Sequence, residues 1–66
     1  MLLQADVLCP RCKKYHVVKA EHPAIPDTGV LFRYRCPVTG ELFKEPLREC
    51  RETSAFPENA IPAWRI

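Results

Sequence analysis

Two cysteines three positions apart, with a proline after the first, constrain this chain more than anything else in it: Cys9-Pro10-Arg11-Cys12, followed later by a second Cys-Pro pair at Cys36-Pro37. A Cys-x-x-Cys turn brings two sulfurs to one side of a tight loop. Backbone amides there can point at the sulfurs and lower the cost of holding two thiolates together, and zinc neutralises the charge. Proline at the second position fixes its own φ near the value the turn needs and removes a competing donor. The second turn, Cys36-Pro37-Val38-Thr39-Gly40, repeats the first except that Thr39 stands where Cys12 would. A threonine hydroxyl is neutral at physiological pH and harder than a thiolate, which makes it a poor zinc ligand.

The length makes a staple necessary. A chain of 66 residues forms one domain at most, and so short a chain hides only about 60 per cent of the surface its unfolded form exposes. Four cysteines could supply the staple as two disulfides or as one metal site, and their spacing favours metal. The segment Met1-Leu2-Leu3-Gln4-Ala5-Asp6 has neither a basic start nor a long apolar run, so neither a signal peptide nor a membrane span is expected. A reducing, cytoplasmic setting follows as the expectation. The rival for Cys9 and Cys12 is a redox dithiol, but a thioredoxin-like reading needs the motif to open a helix beside a larger sheet, and nothing in the chain suggests that.

The run Cys9-Pro10-Arg11-Cys12-Lys13, with Phe32-Arg33-Tyr34-Arg35-Cys36-Pro37-Val38-Thr39-Gly40 after it, resembles a zinc ribbon with rubredoxin-like knuckles, the second of them degenerate. The resemblance covers about residues 8 to 44. It implies two hairpins whose knuckles meet around one zinc, with Cys9, Cys12 and Cys36 as ligands. It implies little about activity, because zinc ribbons serve transcription, translation, nucleases and phage proteins.

Around the knuckles the pattern is β. Val7-Leu8 and the stretch from Tyr15 to Lys19 read as a hairpin whose turn is the first knuckle, and prolines and a glycine mark the stretch from Ala20 to Gly29 as a loop. In the stretch from Val30 to Cys36, Val30, Phe32, Tyr34 and Cys36 share one face, while Leu31, Arg33 and Arg35 share the other. Glu41 to Glu45 can return antiparallel to it. Pro46 to Glu52 can form a short helical turn, with proline at its start and Arg48 and Glu52 four apart. The expected fold is therefore a small metal-stapled β domain: a zinc-ribbon-like antiparallel sheet of three or four strands with a short helical turn over residues 1–52, then an extended, proline-rich apolar tail over residues 53–66.

The fourth ligand is open between Cys50, His16, His22 and solvent. Cys50 supplies the soft anion and lies fourteen residues beyond Cys36, room for a strand and a return turn, so the expected set is Cys9, Cys12, Cys36 and Cys50 around one Zn2+. His16 would lie about 13 Å from Cys12 if the strand between them ran straight. His22 sits in the loop. An open position would suggest catalytic zinc, which also needs a base and a pocket; Glu41 and Glu45 are the only nearby acids, and paired surface charges explain them better. No catalytic residue is assigned.

The net charge of +2 does not by itself call for nucleic acid, but the residues up to Arg35 carry six basic groups against three acidic ones. Arg11, Lys13, Lys14, Arg33 and Arg35 can form a basic surface around the knuckles, with Tyr15, Phe32 or Tyr34 free to stack on a base. In the tail, Phe56, Ile61, Trp64 and Ile66 are candidate partner anchors, or else a cover for a core the sheet cannot close alone. The functional expectation is a non-catalytic zinc-binding adaptor, a phage or bacterial accessory protein, that contacts nucleic acid or a nucleic-acid-processing complex. The alternatives are an assembly protein docking through its C-terminal tail and a dithiol redox protein.

Overall fold

The computed structural model describes residues 1–27 and 29–66, and in them regular structure consists of strands alone. In chain order these are β1 (Leu2–Cys9), β2 (Lys14–Glu21), β3 (Leu31–Arg35), β4 (Leu42–Pro46), β5 (Arg48–Glu52) and β6 (Ile61–Arg65). They form one six-stranded sheet in the order β4-β3-β6-β2-β1-β5, curled into a half-barrel. None of the described residues forms a helix long and apolar enough to cross a membrane.

Period-2 alternation decides which face is buried. In β1, Leu3, Ala5, Val7 and Cys9 turn inward; in β2, His16, Val18 and Ala20 do so; in β3, Phe32 and Tyr34, with Cys36 just past the strand end, continue the pattern. The antiparallel β1–β2 register sets Leu3 opposite Ala20, Ala5 opposite Val18 and Val7 opposite His16, so the inward residues of the two strands meet pair by pair. Ala5, Val7, Val18, Ala20, Phe32, Tyr34 and Ala63 make the core, with Phe43, Leu47, Cys50 and Ile61 packed against it.

Three features of the expected fold are corrected. The sheet has six strands, not three or four. The segment read as a helical turn is β5, paired antiparallel with β1 through Leu3–Glu52, Gln4–Arg51 and Asp6–Arg48, with a register shift between Gln4 and Asp6. A lone ion pair four residues apart cannot hold so short a helix, whereas the open edge of β1 offers a row of backbone partners, ending in Thr53 N–H to the Leu2 carbonyl at 2.9 Å. Last, the C-terminal stretch is no extended tail. Its β6 lies mid-sheet, parallel to β2 and antiparallel to β3. Pro62 is tolerated there because the ladder with β3 begins beyond it, at Ala63 opposite Tyr34. Of the expected loop from Ala20 to Gly29, Ala20 and Glu21 belong to β2, and Thr28 lies outside the described residues.

Candidate metal centre

Three chain segments deliver donors to one end of the half-barrel. Cys9 ends β1, Cys12 sits in the turn after it, His16 is the first inward residue of β2, and Cys36 follows β3. The two turns are built alike. Lys13 N–H donates to the Cys9 carbonyl and Gly40 N–H to the Cys36 carbonyl, each at 2.8 Å. In each turn the residue that donates this bond has a positive φ, 57° at Lys13 and 76° at Gly40. The glycine suits this conformation; the lysine holds it at a cost on the order of 1 kcal/mol.

The Sγ of Cys36 lies 3.7 Å from that of Cys9, 3.6 Å from that of Cys12 and 3.8 Å from Nε2 of His16. All four donor atoms fall within 4.8 Å of one another. The sulfurs are free thiols; a disulfide would bring two of them to about 2.05 Å. Cys9 and Cys36 are fully buried, and His16 is 9% exposed. A group of three thiols and an imidazole, buried except for the partly exposed Cys12, is expensive unless something compensates its charge and lone pairs, and a cation in their midst does both. The cluster is thus compatible with a metal site.

The protonation states of the cluster are uneven. Burial pushes the Cys36 thiol up, but the backbone and hydroxyl of Thr39 and the amide of Val38 stabilise the thiolate and bring its pKa down to about 6. Thr39, which stands where a second knuckle would have a cysteine, thus supports the neighbouring Cys36 thiolate. Cys12 moves the other way, to about 11, through burial first and then its hydrogen bonds to Cys36 and Cys9. The Tyr34 hydroxyl is buried without a hydrogen-bond partner among the described residues; its pKa is raised, by burial first and then by Cys9.

Cys50 lies outside this group. It sits on β5, opposite the stretch of β1 between Gln4 and Asp6, three or more residues and so about 10 Å along the strand from Cys9. There it packs against the core, and burial raises its thiol pKa. His22 is also elsewhere: its Nδ1 lies 2.6 Å from the Ala24 carbonyl and its ring 6.1 Å from that of Phe32. His16, placed too far away by a straight-strand estimate, arrives because the chain reverses at the knuckle. Val7 opposes His16, which sets His16 diagonal to Cys9 on the same inward face. The matching alternation of Ala5, Val7, Cys9 and His16, Val18, Ala20 was the signal that could have found it.

The expected basic residues separate into two places. Arg11 is bound to Glu41, with Nε and Nη2 at 3.2 and 2.9 Å from the same oxygen, while Lys13 and Lys14 are exposed beside the first turn. Arg33 and Arg35 lie on the outer face of β3. Of the three aromatics proposed for stacking, Phe32 and Tyr34 are buried in the core, and Tyr15 is engaged by Arg48 through its hydroxyl at 3.1 Å. In the C-terminal stretch, Ile61 packs on the core, Phe56 lies beneath the Lys19 ammonium, and Trp64 and Ile66 are exposed.

No protein family, no curated protein and no solved structure matches the chain. The likeness to a zinc ribbon therefore rests on the two turns and the donor cluster alone.

Proposed function

We propose that this chain is a non-catalytic zinc module: Cys9, Cys12, His16 and Cys36 hold one structural Zn2+, and the stapled sheet serves as an adaptor contacting nucleic acid or a nucleic-acid-processing complex. The observation that carries the zinc reading is the spacing of the donors. Tetrahedral zinc with bonds of about 2.3 Å to sulfur and about 2.0 Å to nitrogen separates its ligand atoms by roughly 3.5 to 3.8 Å. The three separations measured from Cys36, 3.6 to 3.8 Å, match that edge. Three thiolates and one imidazole form a familiar closed set for zinc, and four protein ligands leave no position for a substrate or an activated water. That argues for a structural ion. The adaptor part rests on the basic residues Arg33 and Arg35 exposed on a sheet face.

Native mass spectrometry of the reduced protein tests the metal reading. One zinc per chain is expected, retained by Cys50→Ser and lost or sharply weakened by His16→Ala. Zinc that survives His16→Ala but leaves with Cys50→Ser would reverse the ligand assignment, and a protein that is metal-free when reduced and forms a Cys9–Cys12 disulfide once the reductant is removed would replace the zinc reading with the redox one. Fluorescence anisotropy of labelled oligonucleotides at low salt tests the adaptor reading, which fails if neither single-stranded nor duplex probes bind.

A further inference from the structure

The outer face of the sheet, opposite the core, carries a feature that the metal centre does not explain. Trp64 is 53% exposed although it belongs to a strand in the middle of the sheet. It pairs with Arg33, which pairs in turn with Lys44. Directly opposed residues stand about 5 Å apart at Cβ, so Lys44, Arg33 and Trp64 form one row across β4, β3 and β6. One step along, Arg35 opposes Leu42. Shallow depressions flank the indole on both sides. One is lined by Arg33, Arg35, Leu42, Trp64 and Arg65; Lys19, Phe56 and Pro62 help to line the other.

Arg33, Arg35 and Lys44 form no ion pair with a described residue on this face, although the Glu21 carboxylate lines the Lys19 side of the indole. Among the described residues the one ion pair is Arg11 with Glu41, and the outward positions of β3 and β4 carry no carboxylate. Arg35 is fixed by donating to the Gly40 carbonyl at 2.8 Å. A monomer does not gain stability by gathering two guanidiniums and an ammonium beside an open indole. An anionic ligand with a planar ring does gain from it.

Resting on the adaptor reading above, we infer that this face binds single-stranded nucleic acid, with Trp64 stacking on an unpaired base and Arg33, Arg35 and Lys44 holding the adjoining phosphates. Stacking on an aromatic is available to any base and needs no sequence-specific hydrogen bonds, and a basic surface beside it tracks the backbone. A duplex keeps its bases stacked on one another and offers the indole nothing. Polyglutamate shares the charge but has no ring to place on the tryptophan.

Trp64 is the sole tryptophan, so its emission reports on the site directly in the intact 66-residue, zinc-loaded chain. Titration with an oligothymidylate of about 10 nucleotides, within the usual range for a small site, is expected to quench that emission and to bind more tightly than a duplex of equal length. Trp64→Ala should weaken binding by about tenfold or more, and Trp64→Phe should restore most of it. Arg33→Ala with Arg35→Ala should flatten the salt dependence by about 0.7 in log–log slope for each phosphate that is no longer neutralised. Binding seen by anisotropy without any quench, equal affinity for duplex, or equal quenching by polyglutamate would each overturn the single-strand assignment while leaving a charged adaptor surface in place. Silence with every nucleic acid would remove the broader reading as well. The wild-type quench needs no substitution, so a variant that fails to fold does not blunt the test.

Discussion

Cys36 and Cys12 approach an incoming cation from opposite protonation states. Around neutrality Cys36, with its pKa near 6, is already a thiolate, whereas Cys12, near 11, still carries its proton. Binding must expel the Cys12 proton, so apparent affinity rises with pH, by at least about tenfold per unit across the neutral range from this group alone. Below about pH 6 the Cys36 sulfur protonates too and competition steepens. Titration against a chromophoric chelator between pH 5 and 8 should show that break. A single unchanging slope through pH 6 would mean that Thr39 does not stabilise the Cys36 sulfur as described. At this scale the sequence was partly legible. Three cysteines were evident from their turns because the motif itself fixes the geometry. The histidine was not, because its approach depends on hairpin register, and register is a property of two strands together.

At the scale of elements, β6 carries the most consequence. It joins β1, β2 and β5 to β3 and β4, since it is the only strand with neighbours from both groups. Truncation before Ile61 removes Ala63 from the core and leaves the facing edges of β2 and β3 without a partner between them. The expected outcome is loss of the folded state, read as collapse of amide dispersion in a heteronuclear spectrum. A truncated chain that keeps its dispersion would return β6 to the status of an appendage. The sequence hid this strand behind Pro62 and Pro57, residues that ordinarily argue against a central strand. Ile61, Ala63 and the apolar run around them carried the contrary signal, but only the pairing with Tyr34 reveals how the proline is accommodated. β5 was misread for a related reason: local charge spacing favoured one helical turn, and the edge of β1, distant in sequence, outweighed it.

For the molecule as a whole, the radius of gyration is 10.8 Å, the value of about 11 Å expected for a compact chain of this length, yet the core behind it is thin. Among the described residues, only Leu3, Val7, Val18, Phe32 and Tyr34 are large, fully buried apolar or aromatic side chains other than cysteine. A structural zinc contributes on the order of 10 kcal/mol of apparent binding free energy, comparable to the entire stability of a small domain. Chelation under reducing conditions is therefore expected to unfold the chain, and restoring zinc to refold it; an amide spectrum indifferent to chelator would show that the apolar core suffices alone. The ion site also has a direction. The first residue of β1 and the last of β6 both lie at the rim away from the cysteines, where the Met1 ammonium donates to the His22 carbonyl and Ile66 N–H to that of Leu31. A pulling force on the two chain ends would thus peel the ladders one rung at a time, a low-resistance geometry, and reach the riveted corner last. Mechanical strength would be set less by the ion's affinity than by whether tension ever arrives there.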